Sequence, residues 1–305
     1  MQGTVGAFAR NFRGAEVFVQ PGQYSFPVNL PIFFYFAPGT RIRQIPDDFS
    51  DCPWRDDIEH VVLSPLVPKG VGGFSETAFF HKASKTVLVT DLVIQVDPEP
   101  PAVIQDDPRA LLYHARDTML DVVQDTPSNR RKGWRRMVLF GLGFQPGGIK
   151  IREISDALKM LNKVPKEMKL LGQGAIPLDG GLYPWDWVKS EEPNFKALLG
   201  GIFVAPILQK LILNREPEKV LDFVDRICEW NFNRVIPCHL GDDIRTTPKA
   251  FREAFSFLED RKSNSRVPRA LEEDCGLLND ASENLTKQGV LYPVAQLVKG
   301  RKLRR

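Results

Sequence analysis

Alternating apolar and polar residues in FSETAFFHKASKTVLVTDLV give the clearest structural signal in the chain. Two runs rich in aromatic and β-branched residues flank a short polar segment, which is typical of a β-hairpin. With a turn over residues 82–85, Phe80 faces Val87 and, at the open end, Glu76 faces Asp91. The pattern therefore predicts two carboxylates opposite one another where the hairpin opens.

The remaining pattern divides the chain into a strand-rich first third and a helix-rich remainder. Short apolar runs bounded by proline and glycine, such as AEVFVQPG and IEHVVLSPL, predict strands. After DPEPP the spacing becomes helical, and Val220, Val224 and Ile227 recur at helical intervals in EPEKVLDFVDRICEW. FNRVIPCHL predicts one further strand, which ends at His239. This order predicts an α/β protein of the α+β kind rather than a strict βαβ alternation.

The composition of the chain changes again near residue 261. From there the sequence is polar, and it ends in KGRKLRR. We therefore expect one domain over residues 1–260 and a polar, partly disordered tail over residues 261–305.

Charge and hydropathy exclude several classes of function. The net charge of +3 is too small to favour nucleic acid. The basic run RRKGWRR could grip phosphate, but its helical spacing favours a solvated helix face around Trp134. LGQGAI lacks the spacing of a phosphate-binding loop. The apolar stretch ALLGGIFVAPILQKLIL falls short of the ~20 clean residues of a membrane span. The four cysteines form no CxxC pair, which favours free thiols in a reducing compartment.

Three polar residues at strand ends are the candidates for chemistry. Two carboxylates directly opposite one another repel unless an ion, a proton or water lies between them. Glu76 and Asp91 therefore either share an ion or a proton, or they are two solvated strand ends. His239 is either a site residue at the end of its strand or a structural histidine. Cys238 precedes it, but neighbours on a strand point to opposite faces and do not form a Cys–His dyad.

Three long stretches carry a family resemblance: GGFSETAFFHKASKTVLVTDLV, DDPRALLYHARD with DTPSNRRKGWRRMV, and PILQKLILNREPEKVLDFVDRICEWNFNRVIPCHL. Over roughly Val17 to Asp260 the chain resembles a family of plants, algae and cyanobacteria that is catalogued as a domain of unknown function (DUF4336). That family is similar to the metallo-β-lactamase fold, an αββα sandwich. The resemblance implies this sandwich and a plastid location.

The resemblance also implies a set of metal-ligand positions. The aspartate that closes the hairpin in the wider fold matches Asp91, and the late histidine matches His239. The histidine that opens the hairpin falls at or near Phe74, which cannot bind a metal. The upstream HxHxDH loop has no counterpart in the sequence. We therefore expect an incomplete first sheet and a chain shortened at its N-terminus relative to the family.

Two functions are consistent with these residues. The first is a degenerate metallo-β-lactamase-like protein that binds a ligand or partner without hydrolysis. The second is a metal-dependent hydrolase whose other ligands lie in a missing N-terminal segment. Asp91 and His239 are vestigial metal candidates and Glu76 is a weak third, so we assign no catalytic residue or cofactor. We expect no tightly bound zinc and at most a weak magnesium or manganese site.

Overall fold

A computed structural model describes most of the chain, which folds into two compact units. The described residues are 2–12, 14–22, 36, 38–66, 73–143, 145–169, 182–260 and 267–299. Unit 1 contains residues 1–94, 202–267 and 281–305, and unit 2 contains residues 95–201 and 268–280. The segment that follows the hairpin therefore belongs to a different compact unit from the hairpin itself.

The secondary structure mixes short strands with helices. The strands are β1 (Glu16–Val19), β2 (Arg41–Gln44), β3 (Ile58–Leu66), β4 (Phe74–His81), β5 (Thr86–Leu88), β6 (Ile149–Ile151), β7 (Trp185–Trp187), β8 (Arg234–Ile236) and β9 (Ile244–Arg245). The helices are α1 (Gln2–Ala9), α2 (Ala102–Gln105), α3 (Arg109–Ala115), α4 (Pro127–Gly143), α5 (Ile154–Met160), α6 (Lys166–Lys169), α7 (Glu192–Lys196), α8 (Pro206–Leu211), α9 (Pro217–Cys228), α10 (Pro248–Glu253) and α11 (Gly276–Lys287). The mixed α+β class expected from the sequence is confirmed.

The main sheet of unit 1 has the strand order β3-β4-β5-β8-β9. Its members are antiparallel except for β5 and β8, which run parallel with Thr86 beside Arg234 and Leu88 beside Ile236. β1 and β2 form a separate parallel pair in the same unit. This central parallel pair places the ends of β5 and β8 at the same edge of the sheet.

Helix α9 packs its apolar stripe against one face of this sheet. Val220, Val224 and Ile227 are completely buried there, because residues three and four apart share one side of a helix. The sheet contributes alternate residues of each strand to the same core: Val61, Leu63, Ala78, Phe80, Val87 and Val235. Strand alternation therefore places Glu76 on the same face as Ala78 and Phe80.

Unit 2 is built around an arginine between aromatic rings. The guanidinium of Arg116 lies 4.5 Å from the ring centroids of both Tyr113 and Tyr183, and its side chain is completely buried. Trp187 donates a hydrogen bond to the Tyr183 hydroxyl at 3.0 Å. The aromatic residues of LYPWDW therefore anchor this segment to the core of unit 2.

One arginine in the basic run on α4 does not lie on the solvated face that the sequence predicts. Arg136 is only 2% exposed. It bonds the carboxylates of Asp117 at 2.6 Å and Glu191 at 3.2 Å, and its guanidinium stacks over Trp187. Helical spacing alone could not reveal this burial, because Glu191 comes from a distant part of the sequence.

The C-terminal region also differs from the loosely held tail that the sequence predicts. Residues 276–287 form α11. Val298 donates a backbone hydrogen bond to Leu258 and accepts one from Asp260, both at 3.0 Å. Polar composition hid this segment because few of its side chains, such as Leu278 and Leu291, are buried.

Candidate functional site at the carboxyl ends of two parallel strands

The hairpin has the register that its sequence predicts, but it opens earlier. Phe80 pairs with Val87, as expected, yet the ladder between β4 and β5 ends at Leu88. Glu76 pairs instead with Leu63 of β3. The expected cross-strand pair of Glu76 and Asp91 therefore does not form, because the chain leaves the β4 ladder before it reaches Asp91.

Beyond Leu88 the chain follows β8 instead. The amide of Val89 donates to the carbonyl of Ile236, and the amide of Cys238 donates to the carbonyl of Thr90, both at 3.1 Å. These bonds extend the parallel pairing past the ends of both strands. The carboxyl ends of parallel strands are where open α/β sheets place ligand sites.

This extension brings Asp91 and His239 together. The Nε2 atom of His239 lies 2.8 Å from Oδ1 of Asp91. The side chains of Asp91 and His239 are 44% and 56% exposed, respectively. The expectation that two residues so distant in sequence converge is confirmed. Solvent can reach both partners of the pair.

Glu76 lies beneath this pair and is only 1% exposed. Its Oε1 accepts the amide of Thr90 at 2.6 Å, and its Oε2 accepts the Thr90 hydroxyl and, at 3.3 Å, the amide of Asp91. Burial raises the pKa of Glu76, and these hydrogen bonds partly oppose that shift. The carboxylate of Glu76, the weak candidate for a third metal ligand, therefore points at the backbone amides of Thr90 and Asp91.

Two residues next to His239 complete the local geometry. Burial, followed by the charges of Asp91 and Glu76, raises the pKa of the Cys238 thiol, which therefore stays protonated at neutral pH. A protonated thiol is a poor nucleophile, so Cys238 adds no covalent chemistry to the pair. Leu240, on the other side of His239, has a φ of 63°, a left-handed conformation that is uncommon for leucine.

The other histidines have separate roles. His60 is buried, with Nε2 2.6 Å from the Pro46 carbonyl oxygen and Nδ1 accepting from Trp54. His81 lies at the hairpin turn, 2.7 Å from the hydroxyl of Ser84. Within the described ranges, no group of three histidine, cysteine, aspartate or glutamate side chains is arranged to hold a metal ion.

Thr90 is the site residue that sequence reasoning missed. Its amide and hydroxyl both bond Glu76, and its carbonyl accepts the amide of Cys238. A hydroxyl residue directly before the candidate aspartate was the available signal. Its meaning depends on where β5 ends, which the apolar pattern does not reveal.

The fold and site define an α+β protein with an exposed Asp–His pair at the carboxyl ends of two parallel strands. Residues 2–257 match the family described as a domain of unknown function (DUF4336), and the chain belongs to that family. No curated protein and no solved structure matches the chain. None of the helices in the described part of the chain is both long and apolar enough to cross a membrane. LGQGAI lies outside the described residues.

Proposed function

We propose that this protein is a degenerate metallo-β-lactamase-like protein that binds a ligand or partner at the Asp91–His239 pair without hydrolysing it. One observation carries the proposal: the two residues that the family resemblance assigns to ligand positions lie 2.8 Å apart at an exposed sheet edge. Exposed side chains held at the ends of adjacent strands are positioned to bind, because the rigid sheet fixes their separation.

The side chains that could bind a metal at this edge do not fit a catalytic zinc ion. Such a site uses about three protein ligands and leaves one position for water. Asp91 and His239 supply two donors, and both oxygens of Glu76 accept hydrogen bonds from Thr90 or Asp91. With the Asp91 carboxylate as the protein ligand and water in the other positions, the edge instead suits a weakly held manganese or magnesium ion.

The pair also offers hydrogen bonds to a ligand without any metal. The contact between the two side chains uses Oδ1 of Asp91 and Nε2 of His239. Among the described residues, none forms a hydrogen bond with the other two atoms, Oδ2 of Asp91 and Nδ1 of His239. A neutral imidazole whose Nε2–H bonds Asp91 presents Nδ1 as an acceptor. The edge therefore favours ligands that carry N–H or O–H groups. A plastid location, which the family resemblance implies, is likewise a proposal.

The test compares the wild-type protein with the double variant Asp91→Ala, His239→Ala. We expect zinc far below one ion per chain after purification without chelators, and weak manganese binding by calorimetry that the double variant loses. His81→Ala is the matched control, because this histidine lies at the opposite end of the hairpin. We expect it to bind manganese as the wild type does.

The competing proposal is a metal-dependent hydrolase whose other metal ligands lie in a segment N-terminal to this sequence. Near-stoichiometric zinc in the wild type, together with metal-dependent hydrolysis that the double variant loses, would favour that enzyme. Manganese binding that persists unchanged in the double variant would instead remove the ligand site from this edge.

A further inference from the structure

Glu76 is a buried carboxylate on an otherwise apolar sheet face. It shares that face with Ala78 and Phe80, and it is 1% exposed. Burying a carboxylate costs several kcal/mol unless its oxygens are well bonded. In the described residues no lysine, arginine or histidine forms an ion pair with Glu76, and its stabilising hydrogen bonds come from Thr90 and Asp91.

These bonds replace a missing strand ladder. In the register of β4 and β5, every second amide after Leu88 would bond β4, but the ladder stops there. The Glu76 carboxylate accepts the amides of Thr90 and Asp91 instead. One side chain of β4 therefore fixes two successive peptide groups at the point where the chain departs from its neighbour.

Thr90 also connects Glu76 to the histidine side of the site. The Thr90 carbonyl accepts the amide of Cys238, the residue before His239, at 3.1 Å. Thr90 is thus bonded to Glu76 on one side and to the β8 extension on the other. Both members of the Asp91–His239 pair are linked to one buried carboxylate through one residue.

We propose that Glu76 is a positioning residue that holds Asp91 against His239 through the backbone of Thr90 and Asp91. Its importance for ligand binding rests on the function proposed above, whereas its effect on the Asp91 backbone does not. Side chains that orient ligand residues without contacting the ligand commonly change metal affinity by 10–100-fold when they are replaced. Glu76 acts on Asp91 in this way without being a ligand itself.

The first measurement is amide hydrogen exchange in Glu76→Gln. Glutamine has nearly the same shape, but its NH₂ group would replace an oxygen that accepts a backbone N–H, so one of the two amides loses its acceptor. We expect exchange of the Thr90 and Asp91 amides to accelerate at least about tenfold relative to amides in the middle of β4. Exchange at the wild-type rate in a folded variant would overturn the proposal.

The second measurement is manganese affinity in the same variant. We expect a loss of about tenfold or more. Val220→Ala is the matched control for lost stability, because Val220 is completely buried on α9. It should lower the melting temperature and keep the affinity. An equal affinity loss in this control would reduce Glu76 to a merely structural role and overturn the proposal.

A milder variant protects the test against misfolding of Glu76→Gln. Thr90→Val removes only the hydroxyl donor and keeps both amide bonds, so we expect smaller changes of the same sign in exchange and affinity. If the wild type binds no manganese but Glu76→Gln still releases the Asp91 amide, the positioning role stands and the proposed ligand site fails. Unchanged exchange in both variants would overturn the positioning role.

Discussion

His114 is a buried imidazole on α3 whose surroundings disfavour its charged form. Burial, followed by the charges of Arg116 and Arg136, lowers the pKa of His114 from 6.5 to about 4. In the part of the chain that the structure describes, no group forms a hydrogen bond with its buried Nδ1 atom. The folded state therefore holds a neutral histidine over a pH range in which the unfolded chain would protonate it.

This environment predicts an acid-sensitive contribution to stability. The unfolded chain takes up the proton of His114 below pH 6.5, whereas the folded protein resists until about pH 4. The contribution is therefore complete above pH 6.5, is lost as the pH falls to about 4, and amounts to roughly 3 kcal/mol.

The measurement is urea unfolding between pH 4 and pH 7.5 for the wild type and for His114→Phe. We expect the unfolding free energy of the wild type to fall by roughly 3 kcal/mol more than that of His114→Phe as the pH falls to 4. A pH-independent difference between wild type and His114→Phe would contradict the expectation.

At the scale of elements, α3 and α4 touch through a glycine. A Cβ atom on Gly133 would lie 1.9 Å from the carbonyl oxygen of Leu111, which is far inside contact distance. Gly141 lies on the same helix with nothing within 4 Å of the corresponding position. Gly133 and Gly141 therefore have opposite packing requirements.

The same substitution should accordingly have opposite effects at these positions. We expect Gly133→Ala to destabilise the protein by about 3 kcal/mol, because the helices must separate. Gly141→Ala should stabilise it by up to about 1 kcal/mol through helix propensity. Chemical denaturation of both variants measures the two changes. A similar change in both would mean that the close approach at Leu111 relaxes without cost.

The site could be predicted from local pattern only in part. The register that pairs Phe80 with Val87 follows from a two-residue period and a short turn. The contact of Asp91 with His239 was expected from the family resemblance, since no local pattern reveals that β5 pairs with β8. The role of Glu76 was missed because it depends on the ladder ending at Leu88, a tertiary effect.

At the scale of the whole chain, Arg215 secures the C-terminal segment of unit 1. The side chain is 8% exposed, and every acceptor of its guanidinium within the described ranges is a neutral oxygen. The acceptors are the carbonyl groups of Lys210, Leu211 and Tyr292 and the hydroxyl groups of Ser282 and Thr286. Five donors in a planar fork are a geometry that lysine lacks.

We therefore expect Arg215→Lys to loosen this segment although the charge is kept. The variant should lose about 2–3 kcal/mol of unfolding free energy, since several buried acceptors lose their donors. Denaturation, combined with faster amide exchange near Tyr292, measures the effect. Arg245→Lys is the control, because that side chain is 69% exposed. Equal stability in both variants would show that the fork is dispensable.

The pairing of Leu88 with Ile236 also has a consequence for synthesis of the protein. About 150 residues separate these neighbouring strands in the sequence. At typical translation speeds the ribosome needs roughly 8 to 30 s to make the intervening segment. During that time the nascent β5 exposes a strand edge that can pair with other chains. Slower translation between residues 88 and 236 should therefore increase aggregation of the nascent protein and its dependence on chaperones.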